Sequence, residues 1–249
     1  MISRRTALRL TGAGLAGLGT GGLGLSSPAV AQFRDEPLKT IVARPDQVQL
    51  HWQNAGRNYE TLADLYDDLS AQGLHIQALM NAGIYEVGPD GTYQPQGLHI
   101  EQGAALRPLN TRSARNANFY LKPNGVFYID ARGAHIVRTQ DYGPSNPLRL
   151  ATQSGPLLFD AQGMHPRFLE NSDSRKRRNA VGVREDGQVV FALADLPLNF
   201  WDFATKLREE EGCKAALYLD GAISNLWLAS DGIAPNPWQP FAGMLSVTA

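Results

Sequence analysis

A short apolar run that ends at an acidic residue followed by glycine is the first place in this chain where chemistry is expected. Residues 217–219 are apolar, Asp220 and Gly221 follow, and Ser224 comes three residues after the glycine. A strand that ends in Asp-Gly sets a carboxylate at the carboxyl end of a sheet, where open α/β sheets bind their ligands. We therefore expect Asp220 to act as a general base or a nucleophile.

Other small polar motifs also fall at the ends of predicted strands. Carboxylates, amides and hydroxyls, with glycines that allow close backbone approach and one guanidinium, are the groups that hold a sugar and an attached anion. We expect Glu101 to be a catalytic partner of Asp220, and Arg178 to grip a phosphate by two oxygens. The alternative for the polar residues is capping of turns and strand ends. The expected substrate contacts are Asn81, Gly83, Gln153, Ser154, Gly155, Arg178, Asn179, Gly221 and Ser224.

Two helix–strand units of the same design position these residues. Each has a capping residue, an apolar stripe at helical spacing and a glycine that ends the helix before a strand begins. The spacing from Gly73 to Asn81 equals that from Gly212 to Asp220. If both strands lie in one sheet, Asn81 and Asp220 should be close together, although such units are common in α/β proteins. The caps are Thr61 and Asn199, and the stripes are Leu62, Leu65, Tyr66 and Leu69 in the first helix and Phe200, Phe203, Ala204 and Leu207 in the second.

Several familiar catalytic signatures are absent from the sequence. It contains no G-x-S-x-G elbow, no H-E-x-x-H, no phosphate-binding Walker loop and no dinucleotide fingerprint, and its five histidines lack metal-ligand spacing. We expect no cofactor and no metal site, while a divalent cation held by acidic and amide groups stays open. A hydrolase with Ser154 as nucleophile and a histidine base is a minor alternative.

The first 31 residues have the features of an export signal. Arg4 and Arg5 form a twin-arginine pattern, a glycine-rich uncharged segment follows, and residues 29–31 fit an A-x-A cleavage site. We expect the twin-arginine export machinery as a partner, a periplasmic or secreted location after cleavage near Ala31, and no stable membrane span. The segment carries three arginines and no acid, so residues 32–249 hold 20 basic and 24 acidic residues, a formal net charge of −4. Nothing in that balance suggests nucleic acid.

The remaining 218 residues are expected to form one domain. Many short strands, often in hairpins, and two helices predict an α+β (mixed α/β) fold around a central mixed, largely antiparallel sheet with packed helices. Hairpin turns are predicted at residues 123–125 and 185–187. The Pro- and Trp-rich tail after Ser230 is expected to wrap the surface.

The ordered set of motifs resembles that of phosphodiester glycosidases. The resemblance covers roughly residues 80–227, within a domain core taken as 76–228, and implies hydrolysis of a sugar-1-phosphodiester on a mixed α/β scaffold. Where the family has a glycine-rich Asp-Gly-Gly-Gly-Ser run, this chain has Ala222 and Ile223 after Gly221, and it has Asn179 where the uncovering enzyme of this family has threonine. The motifs are residues 81–85, 116–121, 154–155, 178–182, 199–204 and 219–224.

A sugar phosphodiester releases a stabilised anion, so the positive charge of Arg178 could replace much of the general acid. The alternative from another functional class is a non-catalytic module that binds a glycan or an envelope polymer on the same scaffold. Such a module would keep Arg178 and the amides and would tolerate loss of the Asp220 carboxylate.

Overall fold

The computed structural model describes residues 36–54, 56–114 and 117–249. The predicted export signal, residues 1–31, lies outside this range. The two helices are α1 (Leu62–Ala71) and α2 (Phe200–Glu209). The strands are β1 Lys39–Ala43, β2 Val48–His51, β3 Gln53–Asn54, β4 Arg57–Asn58, β5 Ile76–Asn81, β6 Tyr85–Val87, β7 Tyr93–Pro95, β8 His99–Glu101, β9 Ala104–Arg107, β10 Gly125–Asp130, β11 Gly133–Arg138, β12 Leu148–Ser154, β13 Leu157–Asp160, β14 Gly163–Met164, β15 Lys176–Arg184, β16 Val189–Leu198, β17 Cys213–Asp220, β18 Leu226–Leu228 and β19 Met244–Thr248.

The strands form three sheets and two short ribbons. The six-stranded sheet has the order β1-β16-β15-β17-β13-β14, the five-stranded sheet β11-β10-β12-β8-β9, and the four-stranded sheet β18-β5-β19-β2. The ribbons are β3-β4 and β6-β7. Every strand pair in the described part of the chain is antiparallel. The fold is therefore a single, mostly antiparallel β domain, richer in strand than the α+β class that the sequence predicted.

The main hydrophobic core lies where the inner faces of the three sheets meet. Met80 and Leu245 come from the four-stranded sheet, Phe127 from the five-stranded sheet, and Phe191 and Leu217 from the six-stranded sheet. All five side chains are fully buried. A fully buried side chain of this size contributes about 1.5–3 kcal/mol by leaving water. This shared core fixes the three sheets against one another and so brings their strand ends together.

Both predicted helices and their caps are confirmed. Thr61 Oγ1 accepts a hydrogen bond from Asp64 N at 3.1 Å, and Asn199 Oδ1 accepts one from Asp202 N at 2.7 Å. These bonds satisfy amide groups that the first turn leaves without partners. Each helix covers one outer sheet face, α1 on the four-stranded sheet and α2 on the six-stranded sheet. Each helix thus packs against one face of one sheet.

One predicted hairpin is confirmed and the other is wrong. The turn at residues 185–187 joins β15 to β16 as expected. Residues 118–120 instead form a single 3-10 turn, and β10 pairs with β11 and β12. β10 pairs with β11 along one edge and with β12 along the other, so both of its edges are occupied. The short segment before the turn cannot compete for those backbone bonds.

The expectation that the tail wraps the surface is wrong for its last residues. β19 lies between β5 and β2 in the four-stranded sheet, and all five of its residues are buried. The alternation of Leu245 and Val247 toward the core explains the placement, because one face of the strand meets the main core. No helix in the described ranges is long and apolar enough to cross a membrane.

Candidate active site

Asn81 and Asp220 meet at the junction of two sheets. Asn81 ends β5 in the four-stranded sheet, and Asp220 ends β17 in the six-stranded sheet. Asn81 Nδ2 lies 3.4 Å from Asp220 Oδ2, within hydrogen-bond distance. The predicted proximity is confirmed, but the assumption of a shared sheet is wrong. Packing of two sheets around the common core, not register within one sheet, brings the residues together.

Asn179 connects the two strand ends. It is directly opposite Asp220 in the pairing of β15 with β17, and it is completely buried. Its Nδ2 donates to Asn81 O at 3.0 Å and to Asn81 Oδ1 at 2.8 Å. Its Oδ1 accepts from Asp220 N at 2.8 Å and from Ser224 Oγ at 3.0 Å. Both ends of the amide are therefore used within the protein, which fixes the site in one geometry.

The turn after β17 is closed by backbone and side-chain bonds. Gly221 N donates to Asp220 Oδ1 at 2.6 Å, and Ser224 N donates to Gly221 O at 2.8 Å. Asn225 N donates to Asn81 Oδ1 at 2.9 Å, which ties the turn back to β5. A Cβ on Gly221 would lie 2.7 Å from the Tyr218 hydroxyl oxygen. The first glycine is thus sterically required, although the family's later glycines are absent here.

Burial raises the pKa of Asp220 to about 6, while the hydrogen bond from Gly221 N opposes the shift. Within the described residues no lysine or arginine forms a salt bridge with this carboxylate. A carboxylate that is desolvated and lacks a countercharge costs folding free energy, and groups of this kind concentrate at functional sites. Asp220 can therefore exchange a proton near neutral pH.

Gly83 and Ser154 pack beside this network. Gly83 has φ +138°, and a Cβ there would lie 3.4 Å from Ser154 Cβ and Oγ. Ser154 is fully buried, and its hydroxyl donates to Leu219 O at 3.1 Å. That bond links β12 to the residue before Asp220. A hydroxyl committed to a backbone carbonyl does not match an activated nucleophile, which disfavours the serine-hydrolase alternative.

Arg178 is placed differently from the expectation. Its side chain is buried, its Nε donates to Leu198 O at 2.8 Å, and one Nη donates to Ser174 O at 2.8 Å. Its Cζ lies 3.7 Å from the centre of the Phe200 ring, in a cation–π contact. Two of the three guanidinium nitrogens are thus engaged with backbone carbonyls. The bidentate grip on a phosphate that the sequence suggested is not available in this conformation.

Gln153 and Gly155 are held by structural contacts. Gln153 Oε1 accepts from Leu98 N at 3.1 Å and from Asn110 N at 2.9 Å, and its Nε2 donates to Asn110 O at 2.8 Å. A Cβ on Gly155 would lie 2.7 Å from both Asn124 Cβ and Phe119 O. Since their surroundings already use these groups, the expected substrate contacts are corrected to supporting roles.

Glu101 is not brought into the network around Asp220. It ends β8, and its carboxylate forms a hydrogen bond with His99 Nε2 at 2.7 Å. His99 is buried and packs edge-on against Trp52, with ring centres 5.8 Å apart. The described contacts therefore give Glu101 a histidine partner rather than the second carboxylate position beside Asp220.

Three polar residues near the site were not singled out from the sequence. Tyr218 lies two residues before Asp220 on β17, and its hydroxyl accepts from Asn118 Nδ2 at 3.4 Å. Burial raises the pKa of Tyr218 to about 12, against the opposing charge of Arg178, so its hydroxyl stays protonated. Burial and the negative charge of Asp220 raise the pKa of Tyr85. Simple period-2 alternation would place Tyr218 and Asp220 on one face, but a bulge pairs Asp220 with Asn179 and Tyr218 with Ala180, which are adjacent residues of β15.

A cavity of about 830 Å³ lies at another part of the molecule, lined by His135, Arg138, Asp160 and Cys213 among others. Cys213 is the first residue of β17, and Asp220 is its last residue. At roughly 3.3 Å per residue along the strand, the two residues lie about 23 Å apart. Across the described residues, no group of three or more His, Cys, Asp or Glu side chains is arranged to hold a metal ion.

Sequence comparison identifies relatives of this chain. A family model described as phosphodiester glycosidase matches residues 75–243. An Escherichia coli K12 protein, the uncharacterized protein YigE, is 38% identical over 211 residues, covering 84% of this chain and 80% of the relative.

Solved structures with a similar fold include the zebrafish N-acetylglucosamine-1-phosphodiester alpha-N-acetylglucosaminidase catalytic domain, auto-inhibited by its pro-peptide. It aligns with a TM-score of 0.57 at 15% identity and covers 86% of this chain and 85% of its own. A putative exported protein of Burkholderia pseudomallei aligns with a TM-score of 0.53 at 12% identity, covering 84% of this chain and 73% of its own. At these identities the structural likeness shows the fold alone. With the family model covering most of the domain and agreeing with the motif order, the chain belongs to the phosphodiester glycosidase family.

Proposed function

We propose that this protein is a hydrolase that cleaves the bond between a sugar and the phosphate of a sugar-1-phosphodiester. The single observation that carries the proposal is the partly buried Asp220 carboxylate, which is held in a network of amides and whose pKa is raised to about 6. Family membership supports the reaction class. The substrate is proposed to belong to an envelope or extracellular glycan.

In the proposed reaction Asp220 acts on the anomeric centre. One carboxylate oxygen accepts the Gly221 N–H and the other faces Asn81 Nδ2, so the group is oriented by both neighbours. As a base, the ionised carboxylate takes a proton from a water molecule that attacks the anomeric carbon; as a nucleophile, it forms a glycosyl ester that a water molecule then hydrolyses. In both cases its negative charge stabilises the oxocarbenium-like transition state. The C1–O bond breaks and its electron pair leaves with the phosphate monoester. Because that leaving group is already a stable anion, it requires little protonation.

The amide network supplies preorganisation. Asn81, Asn179 and Ser224 are completely buried and hydrogen-bonded to one another or to the turn. We assign these three residues the role of holding Asp220 in its reactive position. Asn81 also contacts the Asp220 carboxylate through its Nδ2. A preorganised polar site needs no rearrangement at the moment of reaction.

Arg178 is proposed to act at short range on the site and not as a phosphate clamp. Its guanidinium lies 5.8 Å from the centre of the Tyr218 ring, and its charge lowers the pKa of the Tyr218 hydroxyl against the effect of burial. Through this contact it helps to fix the side chain of Tyr218, two residues before Asp220 on β17. Glu101 is proposed to act as an outer partner through its hydrogen bond with His99, and separate mutation of Glu101 tests that role.

We further propose that the protein works outside the cytoplasm, in the periplasm or after secretion. The twin-arginine pattern, the uncharged segment and the A-x-A site near Ala31 support this location. Detection of a mature amino terminus at Gln32 in a periplasmic extract, by mass spectrometry, tests it.

The test of the activity is direct. The purified protein is incubated with methyl phosphodiesters of N-acetylglucosamine-1-phosphate, glucose-1-phosphate and mannose-1-phosphate, with and without a chelator, and free sugar is measured. Wild type should release sugar from at least one substrate, and Asp220→Asn should reduce kcat by about a hundredfold or more, the scale of loss of an essential proton-transfer group. Asp67→Asn, on the exposed side of α1, is the matched control and should keep full activity.

The same experiment separates the proposed hydrolase from a glycan-binding module. A binding module would retain sugar affinity in a titration yet release no sugar with either wild type or Asp220→Asn. Undiminished sugar release by Asp220→Asn would instead remove Asp220 from the catalytic role.

A further inference from the structure

The β6-β7 ribbon rises directly from the segment that forms the site. The chain leaves β5 at Asn81, and Gly83 packs on Ser154. Ile84 then packs against the cluster that contains Tyr218. Tyr85 is the next residue and begins β6, so only three residues separate it from Asn81 in the Asp220 network.

The ribbon is anchored against movement. Arg107 on β9 donates from Nη2 to Glu86 Oε1 at 2.6 Å, from Nη1 to Gln94 Oε1 at 2.9 Å and from Nε to Pro95 O at 3.2 Å. These three bonds reach both strands of the ribbon. On the other side, Trp52 Nε1 donates to Tyr93 O at 3.2 Å. A short two-stranded ribbon is marginal by itself, and these anchors hold it in place.

Tyr85 and Tyr93 form an aromatic pair on this ribbon. They lie on neighbouring strands, their ring centres are 5.0 Å apart, and the ring planes meet at 74°. Both side chains are only partly buried. In an edge-on pair the faces of one ring remain available for a further contact. Burial raises the pKa of the Tyr85 hydroxyl, and the negative charge of Asp220 raises it further.

We propose that Tyr85 is the sugar-recognition residue of this site, with its ring stacked on the sugar and its hydroxyl hydrogen-bonded to a sugar hydroxyl across from Asp220. The inference rests on the proposed function and adds which residue selects the sugar. A tyrosine joins a large apolar contact surface to one oriented polar group, which suits a ring that has both C–H faces and hydroxyl edges.

The Tyr85 hydroxyl should determine selectivity among sugars, and the Tyr85 ring should contribute affinity for the sugar. A site that hydrogen-bonds a substrate hydroxyl discriminates against an analogue that lacks it, because the protein group is left without a partner. In the proposed site this protein group is the Tyr85 hydroxyl. Sugar preference is therefore expected to depend on it.

The experiment uses the purified protein with the three methyl phosphodiesters named above and with deoxy analogues of the preferred one. Tyr85→Ala should raise KM about tenfold with a smaller change in kcat, since stacking energy of roughly 1 kcal/mol or more is lost in ground and transition states alike. Tyr85→Phe should keep most of the stacking, yet lose discrimination against one deoxy analogue. Tyr142→Phe is the matched control, because Tyr142 also packs edge-on against a tyrosine, Tyr128, with ring centres 6.0 Å apart.

The outcomes separate this inference from the proposed function. Unchanged KM and unchanged deoxy-sugar selectivity in both Tyr85 variants, with an active wild type, overturn the role of Tyr85 alone. A wild type that binds N-acetylglucosamine, glucose or mannose without cleaving any diester overturns the hydrolase, and the dissociation constants of the Tyr85 variants then decide the recognition role. A wild type that neither binds nor cleaves contradicts both. Thermal unfolding of each variant excludes loss of fold as the cause.

Discussion

Asn179 and Asn81 join two sheets through a pair of hydrogen bonds from one amide nitrogen. Asn179 Nδ2 donates to Asn81 O at 3.0 Å and to Asn81 Oδ1 at 2.8 Å, while Asn179 Oδ1 accepts from Asp220 N at 2.8 Å. One buried side chain thus sets the distance between the end of β5 and the end of β17. The position of the Asp220 carboxylate depends on this link.

Asn179→Ala should therefore both destabilise the protein and impair its activity. The substitution removes the acceptor of Asp220 N and of the Ser224 hydroxyl and one of the two donors to Asn81 Oδ1, at a cost on the order of 3 kcal/mol in the free energy of unfolding. Urea unfolding measures the change. Asn236→Ala, at an exposed position, is the control and should change the free energy of unfolding by less than about 0.5 kcal/mol. Equal stability of the two variants would contradict the linking role of Asn179.

Asp220→Asn should stabilise the protein at alkaline pH. The pKa of Asp220 is raised to about 6 in the folded state from 3.8. The folded state therefore holds this proton more tightly than the unfolded chain, so the native state loses stability as pH rises between these values. Above pH 6 the cost reaches an upper limit of about 3 kcal/mol. The new amide would face Asn81 Nδ2, which reduces the gain.

Unfolding measured at pH 4 and pH 8 tests this expectation. The melting temperature of Asp220→Asn should exceed that of wild type at pH 8, and the difference should shrink toward pH 4, where the carboxyl is largely protonated in the folded protein. Asp67→Asn provides the baseline for removal of an exposed acid. If the difference in melting temperature does not change with pH, the ionised Asp220 carboxylate is not what destabilises the wild-type protein.

The pH dependence of kcat/KM should report the ionisation of Asp220. If Asp220 must be ionised to act as base or nucleophile, kcat/KM should fall tenfold per pH unit well below an apparent pKa of about 6. Initial rates between pH 4 and pH 8 measure this limb. A rate that rises toward acid through the same pKa would instead assign Asp220 the role of general acid.

Gly221→Ala should lower activity because the added methyl group clashes with the Tyr218 hydroxyl. A second substitution that removes this hydroxyl should restore part of the activity. The added Cβ would lie 2.7 Å from the Tyr218 hydroxyl oxygen, too close for non-bonded atoms, so the turn must shift and Asp220 moves with it. We expect a drop in kcat of about tenfold or more, since small displacements of reacting groups are costly. Gly143→Ala, where no atom lies within 4 Å of the new Cβ, should be neutral.

The double variant Gly221→Ala with Tyr218→Phe is the decisive measurement for that contact. Removal of the hydroxyl frees the space, so part of the lost activity should return relative to Gly221→Ala alone. No recovery, with Tyr218→Phe itself active, would show that the hydroxyl is not the obstacle.

Local sequence determined the helices and the chemical nature of the site. Thr61 and Asn199 cap their helices through side-chain bonds to amides three residues later, and Gly73 and Gly212 end them at positive φ. Such features depend on neighbours within a few residues, so they can be read without the fold. The acid after a buried strand, Asp220, was identified for the same reason.

Tertiary structure alone decided which strands pair and which polar groups remain free. Backbone hydrogen bonds between strands carry no residue code, so the sequence could not show that β19 enters a sheet beside β5 or that Asn81 and Asp220 belong to different sheets. It also could not show that Arg178 is engaged with Leu198 O, because that contact depends on a register shift in the pairing of β15 with β16. The residue types of the site are local information, whereas their spatial relation results from three sheets closing on one core.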